Sequence, residues 1–335
     1  MFDRPPTGTG DARAEYRAVR DAVGLIDRGD IGIVEVTGRD RAAFLHAMLS
    51  NDVKALRPGQ GCAASLLDVH GKVQELLLVW ALDDRLQVLT GPGRAGKTVG
   101  ALDRYLFSEK ASLRDATAER AFLVVAGRDA PGLTLQLSGV AVPDRVWSHV
   151  AARIAEVDVR VVRGSGETGE PEVWIDSPAD GVERVRTALA AAGARPVGFT
   201  AWESLRIEAG TAVLGRDVDD TVLLPEIPFE PLVSYTKGCY VGQEVVVRIR
   251  DRGHVNRHLR GLLVEAQVAP PAGSAVVAAG EDVGRVTSAT WSIGLERPIA
   301  LALVRRQHAQ PGTRVTVGRA DSGVPAAVSA LPFAR

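Results

Sequence analysis

Sulfur is scarce in this chain: two cysteines and two methionines stand among 335 residues. Cys62 and Cys239 lie far apart in sequence and outside any CxxC spacing, which excludes a disulfide-stapled scaffold. Histidine is nearly as sparse, with six residues. His254 and His258 stand four apart, but "RGHVNRH" holds a glycine break and no third ligand, so no metal site is predicted. Long hydrophobic runs are missing too. The longest purely apolar stretch, "LLLVWAL" at 76–82, falls far short of a membrane span, and "MFDRPPTGTGDARAEY" lacks the apolar core of an export signal. Neither sign of charge dominates: the formal net charge is -1, so nothing global steers the protein to nucleic acid or to an anionic membrane. The expectation is a cytoplasmic protein with neither nucleic-acid nor membrane partners.

What is present has the balance of a soluble globular protein, 46% hydrophobic and 24% charged. The chain is too long for one core of ordinary size, so two or three packed units are expected. "DARAEYRAVRDAVG" predicts a helix stopped by Gly24. "GIVEV" alternates as a half-buried strand and runs through "TGRD" into a helix with Phe44, Leu45, Met48 and Leu49 on one face. The same device returns in "AFLVVAGRDAPGLTLQL", where Gly127, Arg128 and Asp129 echo Gly38, Arg39 and Asp40. That echo favours two related α+β units over one continuous parallel sheet.

Between the two copies, "AASLLDVHGKVQELLLVWAL" and "RLQVLT" read as antiparallel strands. Further helices are predicted over 179–193, closed by Gly193, and over "TAWESLRIEAG", from a Thr200 cap to Gly210. After about residue 257, short apolar strands broken by "APPAGS", "AAGEDVG" and "QPGTR" indicate a small barrel or sandwich. The predicted division is α+β over 1–256 and all-β over 257–335.

"GPGRAGKT" at 91–98 satisfies the phosphate-loop pattern letter for letter, with Gly91, Gly96, Lys97 and Thr98 in the key places. A nucleotide-binding module also needs a parallel sheet and a later strand ending in a magnesium-binding acid. Asp129 instead lies past a glycine turn, and "LLLVWALDD" precedes the loop as its hairpin partner, so a plain strand-to-helix turn is the preferred reading.

Cys62, in "GQGCAASLL", reads as a buried, inert thiol. Cys239, in "KGCYVGQE", follows Lys237, precedes Arg248 and Arg250, and is flanked by Gly238 and Gly242. Should "VGQEVVVRIRDRG" form a helix, its amino terminus would favour the thiolate further, whereas a tight turn with a merely packed cysteine is the competing reading.

"KGCYVGQEVVVRIRDRG" closely resembles the signature of the YgfZ-type folate-binding proteins, the iron-sulfur-cluster maintenance branch of the aminomethyltransferase superfamily. "AVRDAVGLIDRGDIGIVEVTGRDRAAFLHAMLSNDVKALRPGQG", "LRIEAGTAVLGRDVDD" and "VGRVTSATWSIGLERPIALALV" resemble other segments of that superfamily in the same order. The resemblance implies two ferredoxin-like α+β lobes and a carboxy-terminal β-barrel around a central channel for tetrahydrofolate or a derivative. It implies a helix after Cys239, against local β propensity. It makes Cys239 the reactive group, with Lys237, Tyr240, Gln243 and Glu244 orienting it. Glu226, in "LPEIPFE", becomes the carboxylate for the donor edge of the pterin; on chemical grounds alone, Arg248, Arg250 or Arg252 would supply cations for the ligand's glutamate tail.

Where aminomethyltransferases resemble "GGIxDDL", this chain has "HGKVQELLL", so Gln74 and Glu75 replace the aspartate pair. The resemblance therefore implies support of iron-sulfur client or assembly proteins, and a monomer is expected because no long apolar helix is left without an obvious intramolecular partner. Folate-dependent aminomethyl or demethylase-type transfer with Glu75 in the aspartate's role, nucleotide binding, and a folate-stabilised scaffold are the rivals.

Overall fold

The computed structural model describes residues 6, 8–319 and 323–334. Seven helices and seventeen strands alternate along these residues. The helices are α1 (Ala12–Asp21), α2 (Arg41–Met48), α3 (Ala95–Asp103), α4 (Ala130–Ser138), α5 (Val182–Ala191), α6 (Phe199–Ala209) and α7 (Gln243–Arg252). The first eleven strands are β1 (Gly24–Asp27), β2 (Gly32–Thr37), β3 (Gly61–Leu67), β4 (Val73–Ala81), β5 (Leu86–Thr90), β6 (Ser112–Asp115), β7 (Arg120–Ala126), β8 (His149–Ile154), β9 (Val157–Arg163), β10 (Glu172–Pro178) and β11 (Arg195–Pro196). They form a five-stranded sheet in the order β3-β4-β5-β2-β6 and a six-stranded sheet in the order β11-β1-β7-β10-β9-β8. The remaining strands, β12 (Arg257–Val264), β13 (Ala275–Ala278), β14 (Glu281–Ser292), β15 (Arg297–Arg305), β16 (Arg314–Val317) and β17 (Val324–Ser329), close into a barrel. This is the α+β architecture with a terminal β-barrel that the sequence implied.

Period-two alternation sorts each strand between two environments. On β4, Leu77 and Val79 pack with Phe44, Leu45 and Leu102 of α2 and α3, while Leu78 and Trp80 face the opposite way. On β7 and β10, Leu123, Val125, Val173 and Ile175 join Val185 and Leu189 of α5, while Phe122, Val124 and Trp174 face away from it. The two outward faces meet in one shared core containing Trp80, Leu89, Phe122, Val162 and Trp174. Helices thus cover the outside of both lobes and the sheets face each other.

The echoed segments prove to be structural equivalents. Gly38 and Gly127 both carry positive φ, +95° and +130°, and each is followed two residues later by an aspartate at the helix N-cap, Asp40 before α2 and Asp129 before α4. A Cβ on either glycine would meet main-chain atoms, those of Lys110 and Ala111 for Gly38 and those of Val19 and Ala22 for Gly127. The lobes nevertheless exchange a strand, because β1, from the first segment of the chain, inserts between β7 and β11 of the second sheet.

Two predicted helix limits move. α1 ends at Asp21, and Gly24 instead opens β1, where it lies against Val19 and Val197 with no room for a side chain. α6 begins at Phe199 with Gly198 as its cap, which places Thr200 inside the helix. The closing αL glycine, Gly210, stands where predicted.

Candidate functional site

A cavity of ≈ 380 Å³ opens between the two sheets and the segments 210–214 and 227–232. Its walls are largely apolar: Trp147, Trp174 and Trp202 contribute three of the chain's five indoles, and Leu76, Leu78 and Leu89 come from β4 and β5. Packing fixes these rings. Trp147 and Trp174 meet edge to face with centroids 5.7 Å apart, and the Arg28 guanidinium lies 5.7 Å from Trp174 and 5.4 Å from Trp202.

Polar groups are few and concentrated. Arg28 and Glu167 both line the cavity. Arg28 donates through Nε and a terminal nitrogen to the two oxygens of Asp30, at 2.9 and 3.3 Å, and its other terminal nitrogen reaches Glu167 at only 3.4 Å. The loop between β9 and β10 presents Glu167, with Gly166 and Gly169 at φ +82° and +77° on either side. Thr211 donates its hydroxyl to the Glu167 carbonyl and Arg20 donates to the Thr168 carbonyl, which pins the loop at both neighbours. Burial pushes Glu167 up to about 7, against the pull of Arg28 and helped by the nearby Glu172 and Asp30 carboxylates. Glu172, raised likewise by burial, accepts from the Thr168 amide and hydroxyl at one oxygen, while its Oε2 and the Trp174 Nε1 have no hydrogen-bond partner. Sequence reading missed this group. Its signal was the glycine-punctuated acidic run "RGSGETGEPE" between two apolar strands.

The residues chosen from sequence fall elsewhere. Glu75 shares the helix-facing side of β4 with Leu77 and is 1% exposed. Arg94 grips it from Nε and a terminal nitrogen at 2.7–3.0 Å. It is therefore absent from the cavity wall, and so is Gln74, which sits half-buried at an irregularity of the β3–β4 ladder. Glu226 is also absent from the wall. Its carboxylate is taken by Arg257 at 2.8–2.9 Å and by the Leu223 amide at 3.0 Å, so it ties the short 3-10 turn Leu224–Glu226 to the first barrel strand. Arg248 and Arg250 are exposed on α7, outside the cavity lining, and Arg250 pairs with Asp251 and covers the Tyr235 ring at 4.3 Å.

Cys239 is exposed, in the segment that leads into α7. That segment is helical, as the resemblance implied: Gly242 takes φ +81° at the N-cap and the Gln243 amide bonds the Tyr240 carbonyl. Lys237 does not orient the thiol by a hydrogen bond. Its ammonium donates to the carbonyls of His46 and Leu49, capping the end of α2, and lies 4.9 Å from the Tyr240 ring centre. Burial pulls Lys237 down to about 8, opposed by Asp52, Cys62 and Cys239 nearby. Gly238 and Glu244 are exposed, and Gln243 is the first residue of α7. Cys62 is half-buried on β3, its thiol pushed up to about 12 by burial.

The phosphate-loop pattern is an ordinary turn. β5, which precedes it, pairs antiparallel with both β2 and β4, Lys97 is exposed, and the Thr98 hydroxyl donates to the Arg94 carbonyl. Its contribution is to set Thr90, Gly91 and Pro92 at the cavity and Arg94 on Glu75. Among the described residues no group of three or more His, Cys, Asp or Glu could hold a metal ion, and no helix is long and apolar enough to cross a membrane.

Residues 5–237 match the model of the GCVT N-terminal domain, and residues 257–334 match that of the glycine cleavage T-protein C-terminal barrel domain. The chain belongs to the glycine cleavage T-protein family. Similar proteins include the aminomethyltransferase of Streptomyces avermitilis, 32% identical across 98% of this chain and 91% of that one. The aminomethyltransferase of Thermus thermophilus is 31% identical across 95% and 89%. In fold, the chain matches the glycine cleavage system aminomethyltransferase T of Bartonella henselae with a TM-score of 0.85 at 21% identity, covering 96% of this chain and 89% of the other. T-protein family members use tetrahydrofolate as substrate or cofactor. The cavity walls carry three indoles, six leucines and one carboxylate with a quarter of its side chain exposed.

Proposed function

We propose that this protein binds tetrahydrofolate or a derivative between its two sheets without transferring an aminomethyl group, and that the Cys239 segment serves iron-sulfur enzymes or their assembly proteins. The indole walls would hold the ring system. Bound tetrahydrofolate would supply one-carbon chemistry at its N5 and N10 nitrogens; the chain's own residues would orient it and exclude water. The observation that carries the choice against transfer is the direction of Glu75. A carboxylate held by Arg94 on the helix side of β4 is withdrawn from the cavity, and its neighbour Gln74 carries no charge to assist an aminomethyl group.

Exposure of Cys239 and, four residues earlier, of Tyr235, which is 40% exposed, supports a thiol that meets a partner protein. Two measurements test the reading. Tetrahydrofolate binding is expected with no methylene-tetrahydrofolate formed from an aminomethylated carrier protein. In a strain lacking this protein, complementation of iron-sulfur enzyme activity is expected to be lost with Cys239→Ser. Robust turnover that survives Cys239→Ser would overturn it.

A second reading, aminomethyl or demethylase-type transfer, is favoured by the names and the near full-length coverage of the relatives. It predicts turnover in the carrier assay, which Gln74→Ala should lower and Cys239→Ser should leave intact.

A further inference from the structure

The loop between β9 and β10 carries three glycines, Gly164, Gly166 and Gly169, the last two at φ +82° and +77°. Such a chain has little stiffness of its own, so its position is set from outside. Arg20 of α1 supplies the charged part of that hold. One terminal nitrogen of its guanidinium donates to the Thr168 carbonyl at 3.0 Å and to the Glu170 carboxylate at 2.8 Å. The other donates to Glu208 of α6 at 2.8 Å, and Nε donates to the Tyr16 hydroxyl at 3.0 Å. Arg20 itself is absent from the cavity wall. Glu208 in turn accepts from the Ser292 hydroxyl at 2.6 Å and the Gly294 amide at 3.3 Å, where the chain turns from β14 to β15 of the barrel. That turn is seated without slack: a Cβ on Gly294 would run into the Tyr16 hydroxyl.

We propose that Arg20 is a positioning residue: it holds the β9–β10 loop in the form that receives a ligand, and through Glu208 it makes that loop and the β14–β15 turn tighten together when the cavity fills. This rests on the folate reading above and adds the residue that ties the cavity to the barrel. The distribution of donors singles out Arg20. Without it Glu208 keeps Tyr16, Ser204, Ser292 and Gly294 as donors, so the contact between α6 and the barrel persists. The loop, by contrast, loses the guanidinium that bonds Thr168 and Glu170 to that junction. A lysine is no equivalent, because an ammonium is one point charge, whereas the planar fork meets the loop with one nitrogen and Glu208 with the other. The side chains of Arg20 and Glu208 are 9% and 1% exposed, so water screens little of their attraction, and a shift of the loop is passed on through close packing.

Hydrogen exchange reads both halves of the proposal, and tryptophan fluorescence of the full chain, titrated under argon with tetrahydrofolate, reads affinity, since three of five indoles line the cavity. In the wild type the ligand should slow exchange over 164–170 and over 293–296 together. Arg20→Met should bind about tenfold more weakly, exchange faster over 164–170 before ligand is added, and show no slowing over 293–296 on binding. Tyr16→Phe removes a neighbour in the same network that bonds Glu208 and Arg20 rather than the loop. It should lose stability, keep affinity within about twofold of wild type and keep the joint slowing. Should circular dichroism show Arg20→Met unfolded, Arg20→Lys carries the test, with intermediate affinity and no joint slowing expected. A folded Arg20 variant that binds as tightly as the wild type, or that still slows 293–296 on binding, overturns the proposal. So does a Tyr16→Phe that loses as much affinity as Arg20→Met, and each of these results leaves the folate reading in place. A folded wild type that binds no tetrahydrofolate overturns that reading, and ligand-free exchange then decides: equal rates over 164–170 in Arg20→Met and Tyr16→Phe overturn the proposal too.

Discussion

Glu75 shows how much one step along a strand decides. Its neighbour Gln74 is half-buried, whereas Glu75 is locked beneath α3 by Arg94, which also donates to the Gln74 carbonyl. Its role is thus stability. Replacing it by Gln leaves Arg94 facing a neutral amide in a nearly dry site; because Arg94 is 22% exposed, water relieves part of the loss, and about 2–3 kcal/mol is expected. Denaturant unfolding should show that loss while tetrahydrofolate affinity stays within about twofold of wild type. A large affinity loss at unchanged stability would return Glu75 to the binding site.

His149 offers a second residue-scale test. It is 5% exposed, lies tilted against Trp80, and is held down to about 4 by burial and by Arg160. An unfolded histidine titrates near 6.5, so the folded state resists protonation that the unfolded state accepts. Stability is therefore full above about 6.5 and falls as pH drops toward 4, by up to about 3 kcal/mol. Urea midpoints for wild type and His149→Phe, compared across that range, should diverge in slope, the variant losing less on acidification. Parallel profiles would show that His149 does not report the transition.

At the scale of elements, α7 is helical despite three consecutive valines, Val245, Val246 and Val247, which by themselves favour a strand. Tertiary packing overrides that preference. Val246 is fully buried in the core that joins the β3–β4 hairpin to the barrel, and Gly242 lets the chain enter against the Asp68–Gly71 turn. A Cβ there would strike the Asp68 carbonyl and the Leu67 side chain, on a backbone already at φ +81°. Gly242→Ala should cost about 1–3 kcal/mol, and hydrogen exchange should rise first in 237–252 and in the 68–71 turn. Protection lost evenly over the whole chain would argue against a local link between the turn and the Cys239 segment.

The whole molecule was legible to different depths. Alternation and glycine stops located most strands and helices, and the Gly-Arg-Asp echo identified the paired lobes, because those features are set within a dozen residues. The insertion of β1 into the second sheet was hidden, since nothing local in "GLID" names its partner strands. Site residues were the least readable: Glu226 and Glu75 are acids in promising motifs, but Arg257 and Arg94, which claim them, lie 31 and 19 residues away. Glu167, by contrast, stood in a glycine-punctuated acidic run with no motif to single it out, and its place became visible only when the loop met Arg28 across 139 residues.

The three bodies are joined through α6. Arg206, with no exposed surface, spreads its guanidinium over Glu203 of its own helix, Asp217 and the Thr211 carbonyl of the following loop, and Ser288 of β14. Two residues on, Glu208 accepts from Tyr16 and Arg20 of α1 and from Ser292 of β14. One helix therefore ties the amino-terminal helix to the barrel by charge-assisted bonds in a dry interface. Arg206→Ala would leave Glu203 sharing only Arg216 and strip Asp217 of its buried cation, at about 3–5 kcal/mol. That loss falls on the junction, while the barrel's own interior of Leu262, Val276, Val286 and Val304 is untouched. Calorimetry should then resolve the single wild-type transition into two, the lobes melting before the barrel. A variant that still melts in one step at a lower temperature would show that the apolar seam between α6 and the barrel, Ile207 against Leu301 and Phe333, couples the domains without the guanidinium.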